Sequence, residues 1–381
     1  MAVSTDSPAS PAHDTPPLWS RFKARLRASS KSKSTTNPQF DTRPPLLPSL
    51  LPLVRDEHAP NLPFQGWTTV TFPPPSPALP TPHPLQRASE ELFEASRAFF
   101  ALPFSEKEVW KTKLGSEEGW SRIEGEKEFI TLRTVEGTPE VLKAAARAYW
   151  NAAGGLLDQS LGRIGESLGL QGAAAEEGGL RRYVGPCKKF QERDGEKTAT
   201  MLRLFRYEGD ERKVVAEPHS DLGLLSLVIG DTPGLEVWDI HTQCFFPVEK
   251  TYDRPAASLL VGRQLERLSN YRYRAGGHQV KAYGRTEAQA STSPSRQPLP
   301  NYRYSIVFVL RAHESVIVDT DMLTTQITGK FEKPIKEVTA GRFYEQIRNA
   351  HFNININVEE REEQRKRVAA KKAAEGVNGS G

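Results

Sequence analysis

The chain has 381 residues, 37% hydrophobic and 26% charged, with 51 Lys+Arg against 47 Asp+Glu. Arg21, Lys23, Arg25, Arg27, Lys31 and Lys33 face only Asp6 and Asp14 before position 41, so this tail carries the whole excess of four and the remainder is neutral, which excludes a broadly basic nucleic-acid-binding body. Two cysteines, Cys187 and Cys244, exclude a disulfide framework or Cys-based zinc cluster and suit a reducing compartment; no run of about 18 apolar residues predicts a membrane span, and without an apolar signal core the expected location is the cytoplasm.

The first 85 residues hold 18 of the 29 prolines, which block helix interiors and predict extended or irregular chain. Residues 1–45 are rich in Ser, Thr, Pro and basic groups and read as a disordered tail. Within it Leu18, Trp19, Phe22 and Leu26 fall at helical spacing between basic residues, a pattern open to a solvated tail or to a targeting or membrane-touching helix. Residues 67–72 read as a strand. Residues 85–102 read as a helix that Pro103 stops, with Leu92, Phe93, Phe99 and Phe100 on its apolar side. Thr138-Pro139-Glu140 opens a helix running towards Leu170, with a loosening expected at Gly154-Gly155. Arg122, Glu126 and Glu128 read as a solvated charged face, with a pocket role as the alternative.

From Thr198 onward, β-like runs at 198–207, 223–229, 234–239, 256–262, 271–283 and 302–310 follow one another without a helical pattern between them. That order predicts an antiparallel barrel or sandwich. Residues 284–300 read as a flexible loop, 342–350 as a helix, and 358–374 as a solvated charged helix.

Three short patterns carry chemistry. His219-Ser220-Asp221 is the one His-x-Asp among eight histidines; on extended chain, residues i and i+2 share a face, so imidazole and carboxylate can take adjacent positions on one metal. His278 lies on a later run, after Gly276-Gly277. Two His and one carboxylate form the facial set that suits non-haem Fe(II) and leaves positions open. In Arg303-Tyr304-Ser305, again i and i+2, a guanidinium fork with a hydroxyl can bind a carboxylate through two parallel hydrogen bonds and a third. His241, His313 and His351 have no partner at useful spacing and read as structural, and the cysteines read as inert thiols.

The order His-x-Asp, about fifty residues, His, then Arg-x-Ser resembles the 2-oxoglutarate- and Fe(II)-dependent dioxygenases, in the branch that looks like isopenicillin N synthase. Met201-Leu-Arg-Leu-Phe-Arg-Tyr207, Pro218-His-Ser-Asp-Leu-Gly-Leu-Leu-Ser-Leu227, Gly234-Leu-Glu-Val-Trp238, Leu265-Glu-Arg-Leu-Ser-Asn270 through His278, and residues 92–107 with Phe99-Phe100-Ala101-Leu102-Pro103 all resemble family segments. The resemblance covers residues 45–355. It implies a mainly β fold with flanking helices: a double-stranded β-helix, or jelly roll, with an N-terminal helical region. It implies His219, Asp221 and His278 as ligands of Fe(II). Arg303 and Ser305 would bind the far carboxylate of the cosubstrate 2-oxoglutarate, with Tyr207 helping or serving as a core tyrosine. It further implies an oxygenase that couples keto-acid decarboxylation to hydroxylation, desaturation or ring closure of a small organic substrate, with O2 as co-reactant and no nucleic-acid partner. The chain departs from the pattern at Gly262-Arg263, where Gly-Asp is common, at Phe205 in place of an Asn, at Gln279 in place of an Arg, and in 24 residues between His278 and Arg303. A keto-acid-independent oxidase of the same fold and a non-catalytic scaffold stay open, whereas a cupin-like enzyme would want a His-x-His that is absent. The organisation read from this is a tail at 1–45, an N-terminal region at 46–195, the jelly-roll core at 196–355 and a charged helical tail at 356–381.

Overall fold

Alternation with period two builds the centre of the molecule. Along residues 201–208, Met201, Arg203, Phe205 and Tyr207 point one way, and Leu202, Leu204 and Arg206 the other. The computed structural model describes residues 41–77, 80–113, 116–172, 178–284, 301–351, 354–356 and 358–377. The expected tail up to residue 40, with its 18–26 segment, and 285–300 of the expected loop lie outside them. Strands run β1 (Trp67–Thr71), β2 (Gly119–Ile123), β3 (Lys127–Leu132), β4 (Met201–Glu208), β5 (Arg212–His219), β6 (Leu225–Gly230), β7 (Leu235–Asp239), β8 (Cys244–Phe246), β9 (Ala256–Val261), β10 (His278–Tyr283), β11 (Tyr302–Leu310), β12 (Ile317–Val318) and β13 (Val338–Thr339). Helices are α1 (Asn61–Gln65), α2 (Pro84–Ala101), α3 (Phe104–Glu108), α4 (Glu140–Ser167), α5 (Arg263–Leu268), α6 (Ala340–Arg348) and α7 (Val358–Val377). Among the described residues no helix is long and apolar enough to cross a membrane.

Two antiparallel sheets face each other in a jelly roll. The larger has the order β1-β9-β6-β11-β4-β3-β2, the smaller β5-β10-β7-β8. The N-terminal region is therefore woven into the barrel, because β1, β2 and β3 complete the large sheet. Arg43 is already tied down: its Nη1 donates to the carbonyls of Asn270 and Thr328 at 2.9 and 2.6 Å.

The large sheet separates two apolar clusters. On its outer face Leu202, Leu204, Ile306, Phe308, Leu225 and Leu259 pack under α2 and α4, whose Phe99, Phe100, Trp150 and Leu157 are buried. On its inner face Phe129, Phe205, Tyr207, Val228 and Leu260 meet Val215, Val237 and Val280 from the small sheet. Directly opposed residues share a face, so the ladders place Lys127, Tyr207 and Arg303 in one inner row, Phe129, Phe205 and Ser305 in the next, and Thr131, Arg203 and Val307 in a third.

Several elements differ from the sequence expectation. The long helix is continuous through Gly154-Gly155. A Cβ on Gly154 would stand 2.2 Å from the Lys188 carbonyl oxygen, so this glycine serves close packing, and no loosening occurs. The expected run at 271–283 is strand only from His278. Strands β2, β3 and β5 had no clear apolar alternation to announce them.

Candidate active site

β5 and β10 are neighbours, and the ladder sets His219 opposite His278. Moving from His278 to Val280 advances β10 by two residues while β5 advances three, from His219 to Ala216. The extra residue is accommodated around Pro218, which has no N–H to lose from the ladder and therefore suits a bulge. The bulge turns His219 towards its partner, and the ring centroids are 4.2 Å apart.

Backbone carbonyls fix both imidazoles. His219 Nδ1 lies 2.7 Å from the Glu217 oxygen and His278 Nδ1 lies 3.2 Å from the Gly276 oxygen. A carbonyl only accepts, so each Nδ1 donates, leaving Nε2 as the nitrogen available to a metal. His219 Nε2 is 3.8 Å from Asp221 Oδ1, and one donor atom from each of His219, Asp221 and His278 lies within 4.8 Å of the others. Among the described residues no other trio of His, Cys, Asp or Glu converges in this way. Asp221 Oδ2 is buried without a hydrogen-bond partner, a cost that a bound cation would remove. Burial, followed by the neighbouring His278, pushes the His219 imidazole well below its usual value. Burial works to raise the Asp221 carboxyl, but His278 and His219 beside it prevail and hold it low. Two imidazoles and a carboxylate, with accessible side-chain surface of 21% on His219 and 14% on Asp221, fit a ferrous ion.

The surrounding chain holds this trio in place. The Asp221 carbonyl accepts from the Arg263 N–H at 2.8 Å, so Gly262-Arg263 anchors the loop through its backbone. Before His278, Gly276 runs against Gly66, where an added Cβ would stand 2.2 Å from the Gly66 oxygen. The Gly277 carbonyl accepts from Trp238 N–H at 2.7 Å. The glycines there are a packing requirement.

Further along the same interior, Arg303 and Tyr207 are ladder partners, with the guanidinium carbon 5.5 Å from the phenol ring centroid. The Ser305 hydroxyl is placed to bond the Tyr207 oxygen, and burial pushes that phenol up to about 12. Thus Arg303, Ser305 and Tyr207 come together as expected, but the fork is not open. Arg303 Nη2 bonds both Glu249 oxygens at 3.0 and 2.8 Å, and Nε donates to the Thr232 carbonyl at 2.9 Å. Glu249 also accepts the Gly234 and Leu235 N–H groups, each at 2.7 Å. Gly234 gives the arginine its passage, since a Cβ there would be 2.4 Å from Arg303 Nε. Arg303 Nη1 alone is buried without a partner, so an incoming carboxylate would meet Nη1 beside Ser305 and Tyr207, instead of two parallel fork bonds.

Other charged residues correct the sequence reading. Glu128 is 5% exposed and lies on the outer face, 3.2 Å from Lys107 Nζ and 2.6 Å from Arg206 Nη2, so it is neither solvated nor in the pocket. Arg122 is exposed. Helix α7 is not simply solvated: Arg361 is buried, pairing with Glu126 at 2.6 Å and with Glu217, two residues before His219, at 3.0 Å. Lys127 is buried, donates to the Ile354 carbonyl at 3.4 Å, and is pushed down to about 7 by burial. Cys187 is buried and its thiol is pushed up to about 12 by that burial, which fits an inert role, while Cys244 is exposed. Sequence reasoning did not find Glu249, Arg203 or Arg361. Only Arg203 left a signal, its period-two spacing from Tyr207.

A jelly roll enclosing two imidazoles and a carboxylate is the architecture of the non-haem iron oxygenases. Comparison with known proteins agrees. No family model matches the chain. The 2-oxoglutarate-dependent dioxygenase ecdK of Aspergillus rugulosus is 31% identical over 159 residues, which is 39% of this chain and 45% of that protein; the chain thus spans less than half the length of this curated relative. Among solved structures, a 2OG-Fe(II) oxygenase family protein from Caulobacter crescentus superposes with a TM-score of 0.54 at 20% identity, over 76% of this chain and 92% of that one. A full-length Neurospora crassa protein in complex with alpha-KG and 5-formyluracil gives 0.54 at 19%, over 75% and 86%. The dioxygenase for auxin oxidation in rice gives 0.52 at 19%, over 75% and 85%. The chain has the fold of the 2-oxoglutarate/Fe(II) oxygenases, as the sequence resemblance implied.

Proposed function

We propose that the protein is an Fe(II)- and 2-oxoglutarate-dependent oxygenase acting on a small organic substrate. The observation that carries this reading is the convergence of His219, Asp221 and His278 in the same barrel interior that holds Arg303, Ser305 and Tyr207. His219, Asp221 and His278 would hold the metal on one face. Arg303 Nη1, with the Ser305 and Tyr207 hydroxyls, would fix the far carboxylate of the keto acid and so orient its other end. A ferrous ion bound there supplies O2 activation, with 2-oxoglutarate converted to succinate and CO2 as the substrate is oxidised. Glu249 keeps Arg303 extended, and the inner apolar cluster excludes water. The catalytic core is 196–355, with the preceding region completing its sheet, and the free cysteines support a cytoplasmic location.

The test is succinate formation from 2-oxoglutarate by the purified protein with Fe(II) under O2. Turnover of a substrate without 2-oxoglutarate would move the chain to the keto-acid-independent oxidases. Absence of both succinate formation and calorimetric 2-oxoglutarate binding would overturn the reading.

A further inference from the structure

The large sheet carries a second inward guanidinium that no described residue neutralises. Arg203 shares the inner face of β4 with Phe205 and Tyr207 and stands opposite Thr131 and Val307. Its Nε donates to Thr131 Oγ1 at 2.7 Å. Its guanidinium carbon lies 5.4 Å from the Phe129 ring centroid and 6.0 Å from that of Phe205, contacts that hold the planar group in place. Among the described residues, no carboxylate pairs with it and neither Nη group has an acceptor. Both Nη groups are absent from the fully enclosed polar atoms left without partners, so they open onto accessible space.

The contrast with its neighbours is informative. Arg303 is matched by Glu249 at 2.8 Å, and Arg311, at the end of β11, by Glu117 at 2.6 Å. The acids that Arg203 senses are Glu117, already engaged by Arg311, and Asp221 of the metal trio. Arginine keeps its proton, so a full positive charge faces the barrel interior without an ion-pair partner among the described residues. The accessible space in front of both Nη groups leaves room for an anionic ligand to complete the charge.

We propose that Arg203 is a carboxylate receptor inside the barrel, separate from the Arg303 pocket. One uncompensated charge on a planar fork matches one monoanionic carboxylate. The inference rests on the oxygenase reading for its setting. The carboxylate has two possible sources: the oxidised substrate, or the keto-acid end nearer the metal trio.

The experiment uses the full chain and its Arg203→Gln and Arg203→Lys variants, with folding checked by circular dichroism. Calorimetry under anaerobic Fe(II) reads the 2-oxoglutarate Kd. Thermal shifts at saturating 2-oxoglutarate compare a panel of aromatic and aliphatic monocarboxylic acids with their amides. If the substrate supplies the carboxylate, the acids stabilise wild type more than the amides do. That preference is lost in Arg203→Gln and partly kept in Arg203→Lys, while the 2-oxoglutarate Kd stays within about twofold, since the removed charge contacts only the substrate. If the keto acid supplies it, Arg203→Gln raises the 2-oxoglutarate Kd roughly tenfold or more, the loss expected for a charged hydrogen bond. A folded Arg203→Gln variant with unchanged Kd and an unchanged acid-to-amide difference, including no difference in wild type, overturns the proposal. None of these readouts needs turnover, so failure of the oxygenase activity would be seen separately as absent succinate.

Discussion

The two faces of the large sheet are built from the same strands by opposite rules. The outer face buries Leu202, Leu204, Ile306 and Phe308 under α2 and α4, and its buried carboxylate Glu128 is held by Lys107 and Arg206. The inner face interrupts its apolar cluster with Lys127, Arg203, Tyr207, Arg303 and Ser305. Apolar burial stabilises the fold at roughly 25 cal/mol per Å², and desolvated charges work against it. Stability is therefore concentrated on one side of a sheet one strand thick, and chemistry on the other.

The largest expected effect separates the faces by activity. His219→Ala should lower 2-oxoglutarate-dependent succinate formation at least a hundredfold, since loss of a ligand exceeds the roughly 10–100-fold cost of losing its supports, with little change in melting temperature. Retained turnover would remove His219 from the metal site. The outer face should give the converse. Trp150 is fully buried, stacks on Phe190 at 4.7 Å and meets Phe308 edge-on at 5.1 Å; Trp150→Ala should cost about 3–5 kcal/mol in denaturant unfolding while 2-oxoglutarate affinity of the folded fraction is kept. An affinity loss as large as the stability loss would show that the faces are coupled.

Glu249→Gln sharpens the picture of the inner face. Removing the acid leaves Arg303 buried and unmatched, so the free protein should melt lower, by about 3 kcal/mol in stability. Saturating 2-oxoglutarate, supplying a carboxylate in its place, should then raise the melting temperature more than in wild type. An equal or smaller rise would mean that Nη1 does not receive the cosubstrate. The smallest effect concerns acid. Burial opposes ionisation of Glu117, but Arg311 lowers its pKa from 4.5 to about 2. A depressed carboxylate contributes stability above its unfolded pKa and loses it as pH falls through the folded one. Wild type should therefore lose stability between about pH 4.5 and 2, and Glu117→Gln should flatten that part of the acid titration.

What the sequence disclosed follows the same division. His219 with Asp221, and Arg303 with Ser305, stood out because donor type and i, i+2 spacing are local properties, and His278 joined them as a second imidazole on a later β-like run. The outer face was legible through Leu92, Phe93, Phe99 and Phe100 at helical intervals. Strands β3 and β5 were not, because Lys127-Glu128 and Glu217-Pro218 look like solvent or turn. Lys127 and Glu128 are buried and Glu217 half-buried against partners far away in sequence, and Pro218 sits at a bulge. Arg361 was misread for the same reason, since Glu126 and Glu217 lie 235 and 144 positions from it. Pairwise neutralisation across such distances leaves no periodic trace.

The pairing of Trp67 with Leu260 has a consequence during synthesis. At about 5–20 residues per second, β1 emerges on the order of ten seconds or more before any of β9 exists. For that interval Trp67, Val70 and their bare backbone groups form an open strand edge, the kind that captures other nascent chains. Expression at lower temperature or with holdase chaperones should raise the soluble yield of this chain, because the nascent polypeptide needs protection until its own ninth strand arrives.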